Sequence, residues 1–152
     1  MPGHREGDLL LGTASSCMAT LVERHSRFVM LVKIPGRRTS LEVTAALASR
    51  IQTLSAELFR SLTWDQGKEM SEHAKFSVDT GVQVYLCDPS SPWQRGSNEN
   101  TNGLLRQYFP KGKSMAGFTQ ADLDNVAARL DGSPRQTLNW ITPSQKLAQA
   151  LH

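Results

Sequence analysis

The chain has 152 residues, of which 39% are hydrophobic and 20% charged, and its formal net charge at pH 7 is +3. This composition is typical of one folded domain over residues 1–152 and excludes a disordered or low-complexity chain. The two cysteines lack the spacing of a metal site or a disulfide framework, and no segment approaches the roughly 20 apolar residues of a membrane span. We therefore expect a soluble, cytoplasmic protein with no membrane partner.

The first third of the chain predicts three short strands. Apolar runs at 8–13, 18–23 and 28–34 alternate with polar or turn-forming residues, which is typical of an antiparallel meander. Thr39 followed by Glu42 then predicts a helix that opens with a capping box. The apolar positions of this helix recur at helical spacing: Leu41, Val43, Ala45, Leu47, Ala48, Ile51 and Leu54.

The rest of the chain alternates strands with helices. The pattern predicts strands at 61–64 and 82–86. Helices are predicted at 68–80 (ended by Gly81), at about 97–108, at 119–130 and at 142–150. This order of elements describes an α/β fold with a mixed five-stranded sheet and helices on both faces.

Three acidic residues stand where a carboxylate can bind a metal. Asp8 opens the first predicted strand, Asp65 follows the fourth strand at a turn, and Glu99 begins the helix after a proline-containing loop. Ligand sites of open α/β sheets lie at strand ends, and carboxylate oxygens bind Mg²⁺ or Mn²⁺. Two such ions about 3.5–4 Å apart can hold the attacking and leaving oxygens of a phosphoryl transfer. Each residue also has an ordinary explanation: a solvent-facing strand end, turn chemistry and the helix dipole, respectively.

The segment from Trp93 to Lys113 is basic, with four cationic residues and one acid. Such a segment is equally typical of a phosphate-binding surface and of an ordinary solvated face. One stripe of the predicted helix carries Glu99, Asn102, Gly103 and Arg106. Glycine inside a helix costs about 1 kcal/mol relative to alanine. Gly103 therefore indicates the close approach of either a phosphate backbone or a neighbouring element.

The motifs around the three acids resemble the DDE transposases of insertion-sequence family thirty, which are relatives of retroviral integrases. The matching segments are GHREGDLLLG, ATLVERHSRFVMLVKIPG, LTWDQGKEM and CDPSSPWQRGSNENTNGLLRQYFPKGK, and 33 residues separate Asp65 from Glu99. The resemblance extends over about residues 3–152. It implies a ribonuclease H-like core in which Asp8, Asp65 and Glu99 bind two Mg²⁺ or Mn²⁺ ions.

The resemblance also implies an activity and partners. Such a core cleaves DNA at the ends of an insertion sequence and joins them to target DNA, and it works within a homo-oligomer. The residues that would face DNA are Lys68, Arg95, Asn98, Asn102, Arg106 and Lys111.

The sequence departs from the family at several positions. Arg5 stands where the family commonly has tryptophan, Ser90 where it has histidine, and residues 131–135 replace an asparagine- and arginine-containing turn. Only seven residues precede Asp8, whereas the family's core follows a helix-turn-helix region that recognises element ends, so we expect a fragment, a truncated protein or half of a split one.

Two other functions compete with the transposase prediction. The first is a truncated, non-catalytic remnant that binds DNA or forms inactive oligomers and so inhibits transposition. The second, a glycoside hydrolase with paired carboxylates, is disfavoured because Trp64, Trp93 and Trp140 are more typical of core and loop anchors than of a sugar-stacking groove.

Overall fold

The computed structural model describes residues 3–13, 16–34, 39–53, 59–64, 73–86, 96–133 and 141–151. The predictions for Leu54, residues 68–72, Ser90, Trp93 and Trp140 concern positions outside this set. The strands are β1 His4–Leu11, β2 Cys17–Glu23, β3 Val29–Lys33, β4 Ser61–Trp64 and β5 Gln83–Leu86. The helices are α1 Ser40–Ile51, α2 His73–Thr80, α3 Gly96–Leu105, α4 Gln120–Asp131 and α5 Pro143–Leu151. No helix within the described ranges is long and apolar enough to cross a membrane.

All five strands join one mixed sheet in the order β3-β2-β1-β4-β5. β1, β2 and β3 form an antiparallel meander, with Asp8 opposite Thr20 and Val22 opposite Val29. β4 runs parallel to both β1 and β5. The predicted five-stranded mixed sheet is therefore confirmed.

Two hydrophobic cores lie on opposite faces of this sheet. Leu9 and Leu21 belong to the core that includes Val43 of α1 and Phe76 of α2. Leu10 and Val22, each one residue further along its strand, belong to the core of α3 and α4 instead. Successive strand side chains point to opposite faces, so one short apolar run supplies both cores. The prediction of helices on both faces is confirmed.

Helix α1 buries only part of the apolar face that its sequence predicts. Thr39 accepts a hydrogen bond from Glu42 N at 3.3 Å, which is the first half of the predicted capping box. Val43 and Leu47 are fully buried and Ile51 nearly so, whereas Leu41 is 63% exposed. The inclusion of Leu41 in the buried face was wrong, because the sequence carries two overlapping apolar stripes and the sheet covers only one of them.

The edge strand β3 is covered by side chains of α4. Gln120 accepts from Lys33 N at 2.8 Å and donates to Leu31 O at 2.7 Å. Asp131 accepts from Val29 N at 2.8 Å. An uncovered edge would present these groups to another strand. Helix α4 therefore closes this side of the sheet, and Asp131, one of the residues at 131–135 that depart from the family pattern, takes part in the closure.

Candidate active site

Asp8 lies in the middle of the sheet. It is the fifth residue of β1, so the prediction that it opens the strand was wrong. The strand starts earlier because His4, Arg5 and Glu6 pair with β4 on one side, while Arg5 and Glu6 also pair with β2 on the other. Asp8 is half-buried and follows the last pair between β1 and β4 by two residues.

The Asp8 carboxylate has a fixed orientation. Its Oδ1 accepts a hydrogen bond from Leu9 N at 2.8 Å, and its Oδ2 accepts one from the Asn102 side-chain amide at 3.2 Å. Asn102 Oδ1, the other end of that amide, is buried and has no hydrogen-bond partner among the described residues. A buried oxygen acceptor therefore lies beside a carboxylate, between β1 and α3.

Helix α3 is attached to β1 at a second point. The Arg106 guanidinium donates to Leu11 O at 3.2 Å and to Phe109 O at 3.3 Å. Leu105 and Phe109 are buried in the core of this face. The helix ends at Leu105 rather than near residue 108 as predicted, because Gln107 N and Tyr108 N bond to carbonyls three residues back and tighten the chain into a turn.

Strand β4 reaches the same region beside β1. Its last residue, Trp64, is buried, and its ring lies against Gly7 of β1. A Cβ atom added to Gly7 would overlap the Trp64 ring and lie 2.9 Å from Leu62 Cδ1. Glycine at position 7 therefore permits the close packing of these side chains next to Asp8.

The structure describes only some of the other predicted site residues. Asp65, Lys68 and Arg95 lie outside the described residues. Asn98 and Glu99 belong to α3, but their side chains are also outside the described part of the structure. Lys111 is exposed in the turn region after α3. The clustering of the three acids and the DNA contacts of these residues stay predictions.

Gly103 has open space around it. Apart from its chain neighbours and the backbone of its own helix, no described atom lies within 4 Å of the position that a Cβ atom would take. No described element therefore packs closely against Gly103, and packing against the other residues stays a prediction. The approach of a phosphate backbone, which was the other explanation, stays a prediction.

A buried charged cluster was not predicted. Arg5 lies opposite Glu23 in the sheet, and both are buried together with Asp131. Desolvation lowers the pKa of Arg5 to about 10, and the attraction of Glu23 and Asp131 opposes this shift. Arg5 also packs with its Cζ 5.2 Å from the Phe59 ring centroid. The sequence marked Arg5 only as a departure from the family pattern, and local periodicity does not indicate which distant acid pairs with it.

The sequence model of the integrase core domain family matches residues 2–92. The chain belongs to the integrase core domain family. The transposase for insertion sequence element IS1086 of Cupriavidus metallidurans is 54% identical over 152 residues, covering 99% of this chain and 44% of that protein. Transposase InsI for insertion sequence element IS30A of Escherichia coli is 54% identical over 143 residues, covering 94% of this chain and 37% of that protein.

These relatives confirm the predicted resemblance to insertion-sequence family thirty. This integrase core domain spans less than half the length of either transposase. A more distant relative, the transposase for insertion sequence element IS4351 of Bacteroides fragilis, is 30% identical over 99% of this chain and 46% of its own length.

Solved structures confirm the ribonuclease H-like fold of this integrase core domain. The crystal structure of the catalytic core domain of BIV integrase gives a TM-score of 0.70 at 20% identity, covering 99% of this chain and 97% of that one. A chain of the simian T-cell lymphotropic virus intasome, in complex with the PP2A regulatory subunit B56 gamma, gives a TM-score of 0.72 at 20% identity, covering 96% of this chain and 54% of that one.

Proposed function

We propose that this chain is the catalytic core of a transposase that cleaves DNA strands and joins them to target DNA, with divalent ions held by Asp8, Asp65 and Glu99. The hydrogen bond between Asn102 and Asp8 carries the proposal, because it brings the helix that contains Glu99 to the strand that contains Asp8. Positions 99 and 102 are three residues apart, and positions at this spacing lie on one side of a helix.

The strand register supports a place for Asp65 in the same site. Paired residues of β1 and β4 differ by 57 in residue number, as His4 and Ser61 do, and Asp8 and Asp65 differ by the same amount. Parallel strands that keep their register hold such residues side by side. We therefore propose that Asp65 joins Asp8 and Glu99 in a three-carboxylate site.

No group of three His, Cys, Asp or Glu side chains that could hold a metal ion lies among the described residues, so the metal proposal is supported by the chemistry around Asp8 alone. Mg²⁺ and Mn²⁺ prefer oxygen ligands and retain several waters. The Asp8 carboxylate supplies such oxygens, and the unpartnered Asn102 Oδ1 can accept a hydrogen bond from a bound water. When bound, the ions supply positive charge where the phosphate being transferred becomes more negative. The chain itself orients Asp8 through Leu9 N and Asn102, and anchors α3 through Arg106.

DNA is the proposed substrate and partner, and the active form is proposed to be a homo-oligomer on element ends and target. The region of residues 106–118 contributes Arg106, Lys111 and Lys113 and has no acidic residue. Part of the Arg106 guanidinium is occupied by Leu11 O and Phe109 O. Its remaining N–H groups, together with Lys68, Arg95, Asn98, Asn102 and Lys111, are proposed to face the DNA.

A metal titration of the 152-residue chain tests the proposal. Clustered carboxylates repel one another without a cation, so Mg²⁺ or Mn²⁺ at about millimolar concentration should raise the wild-type Tm. Asp65→Asn should lose most of this increase and be no less stable without metal. A nicking assay on supercoiled plasmid should show metal-dependent cleavage by the wild type and none by the variant. Equal thermal responses of the two proteins would place the metal site elsewhere, and a metal response without nicking would favour a non-catalytic DNA-binding remnant.

A further inference from the structure

The loop that follows α3 is hydrogen-bonded to the connection between β1 and β2. Thr13 N donates to Lys113 O at 3.0 Å, and Met115 N donates to Ser16 Oγ at 2.8 Å. Ser16 Oγ in turn donates to Thr13 O at 2.6 Å. Met115 is buried in the core shared with Leu10. The backbone on both sides of Lys113 is therefore fixed relative to the end of β1.

Gly12 makes this attachment possible. A Cβ atom on residue 12 would lie 2.8 Å from Lys113 O, 2.9 Å from Met115 Cγ and 2.6 Å from Ser16 Oγ. Real Cβ atoms almost never approach other atoms so closely, and the Lys113 carbonyl is backbone that moves only if the loop moves. Glycine at position 12 is thus required by the close approach of a second segment.

The loop after α3 carries two lysine side chains that are exposed to solvent. Residues 111–113, here named the basic turn, consist of Lys111, Gly112 and Lys113, and all three are exposed. Gly112 has a φ of 83°, a backbone conformation that favours glycine and turns the chain. The backbone of the basic turn is held while both lysine side chains are free to reach a ligand.

The basic turn lies at the edge of the sheet where β1 ends, beyond Asp8. Thr13 follows Asp8 by five residues, which corresponds to at most about 17 Å of extended chain. Successive phosphates of one duplex strand are about 3.4 Å apart along the helix axis. A duplex with a phosphate at Asp8 would therefore have others within reach of the basic turn, roughly five nucleotides away.

We propose that the basic turn binds the phosphate backbone of duplex DNA and that Gly12 is a positioning residue for this contact. The proposal rests on the proposed function, which supplies DNA as the substrate. The hydrogen bonds that order the loop favour binding, because a lysine on an ordered backbone loses only side-chain conformational entropy when it binds. A lysine on a flexible loop loses backbone conformational entropy as well. The contact is insensitive to base sequence, since phosphates carry no sequence information.

The test measures the affinity of the whole 152-residue chain for a random-sequence duplex at several salt concentrations, by fluorescence anisotropy. Lys111→Ala/Lys113→Ala should weaken binding by about tenfold near 0.15 M salt and flatten the salt slope by about two units. Gly12→Ala changes no charge, yet it should cause most of the same loss because it displaces Lys113 and its neighbours. Gly117→Ala is the matched control in the same loop, since no described atom beyond its chain neighbours lies within 4 Å of its Cβ position.

The triple variant separates a positioning role from general damage. If Gly12 acts through the basic turn, adding Gly12→Ala to the double lysine variant should cause little further loss. The inference is overturned if the triple variant loses affinity by the product of the losses measured for Gly12→Ala and for the double lysine variant. It is also overturned if Gly12→Ala binds DNA with wild-type affinity. Should Gly12→Ala fail to fold, Ser16→Ala removes the acceptor of Met115 N without added bulk, and the same comparisons apply. A wild-type chain that does not bind duplex DNA would instead overturn the proposed function, and this inference with it.

Discussion

The Asn102 side-chain amide donates a 3.2 Å hydrogen bond to Asp8 Oδ2, joining α3 to the central strand of the sheet. Asn102 was implied as a DNA-facing residue, and this bond gives it a second role that the sequence did not indicate. The helix stripe that carries Glu99 and Asn102 thus contacts β1 at the proposed metal site, so changes at Asn102 report on that site.

Asn102→Asp should make the protein less stable without metal and more responsive to it. A second carboxylate would then lie beside Asp8, and two like charges at this distance repel each other. We expect a lower Tm in chelator and a larger increase with Mn²⁺ than the wild type shows, measured by thermal unfolding. Asn125→Asp, an exposed position on α4, makes the same charge change away from the site. Identical behaviour of the two variants would argue against a cation beside Asp8.

Gly7→Ala should destabilise the sheet where β1 meets β4. The new methyl group would overlap the buried Trp64 ring, and overpacking of this kind costs about 1–3 kcal/mol. Because Trp64 directly precedes Asp65, plasmid nicking should fall as well. Urea unfolding measures the first effect. Gly103→Ala is the control for urea unfolding alone, since its Cβ position is open and alanine should stabilise this helix by about 0.5–1 kcal/mol.

Local sequence pattern predicted the elements because each core residue repeats with the period of its own strand or helix. Strand β4 was predicted with the bounds that the structure has, and Gly81 does end α2, with a φ of 73°. The pattern was less informative where two periodicities overlapped. In α1, the apolar residues Leu41 and Val43 both fit a helical stripe, and only the position of the sheet determines that Val43 is buried.

The contacts that complete the fold depend on residues far apart in the chain. Gln120 bonds to Leu31, which is 89 residues away, and Asp131 bonds to Val29, which is 102 residues away. Nothing in the sequence around α4 distinguishes these polar residues from a solvated helix face. The start of β1 was missed for a similar reason, because buried Arg5 and Glu6 read as polar positions outside a strand.

Arg5→Met should destabilise the protein strongly at neutral pH. The variant leaves the buried Glu23 and Asp131 without their cation and removes the packing against Phe59. Removing the cation from a buried group of opposite charges typically costs about 3–5 kcal/mol. Glu23 keeps hydrogen bonds from His25 N and Ser26 N, which should place the loss near the lower value. A loss below about 1 kcal/mol in urea unfolding would indicate that Arg5 contributes little to the cluster.

The same cluster predicts a pH dependence at high pH. Burial lowers the pKa of Arg5 from its ordinary value to about 10, so between about pH 10 and the ordinary pKa the unfolded chain holds this proton more than the folded chain does. The contribution of Arg5 to stability therefore rises with pH in this window. Comparing the wild type with Arg5→Met cancels the titration of the other groups that the two share. The difference in unfolding free energy should widen from about pH 10 upward, and a constant difference would contradict the lowered pKa.

Gln120→Ala should weaken the closed edge of the sheet. The Gln120 side chain bonds to Lys33 N and Leu31 O, and it also donates to Asp124 Oδ1 at 2.9 Å. Asp124 forms an ion pair with Arg50 of α1 at 3.1 Å, so Gln120 connects the edge strand to helices on both faces. Removing it leaves two backbone groups of β3 without their partner, at a cost of about 1–3 kcal/mol in total.

The exposed groups should also pair with another edge strand, so we expect concentration-dependent association in sedimentation velocity experiments. Asn125→Ala, at an exposed position of the same helix, should show neither effect. A Gln120→Ala chain with wild-type stability and unchanged sedimentation would mean that water satisfies the edge as well as the glutamine does.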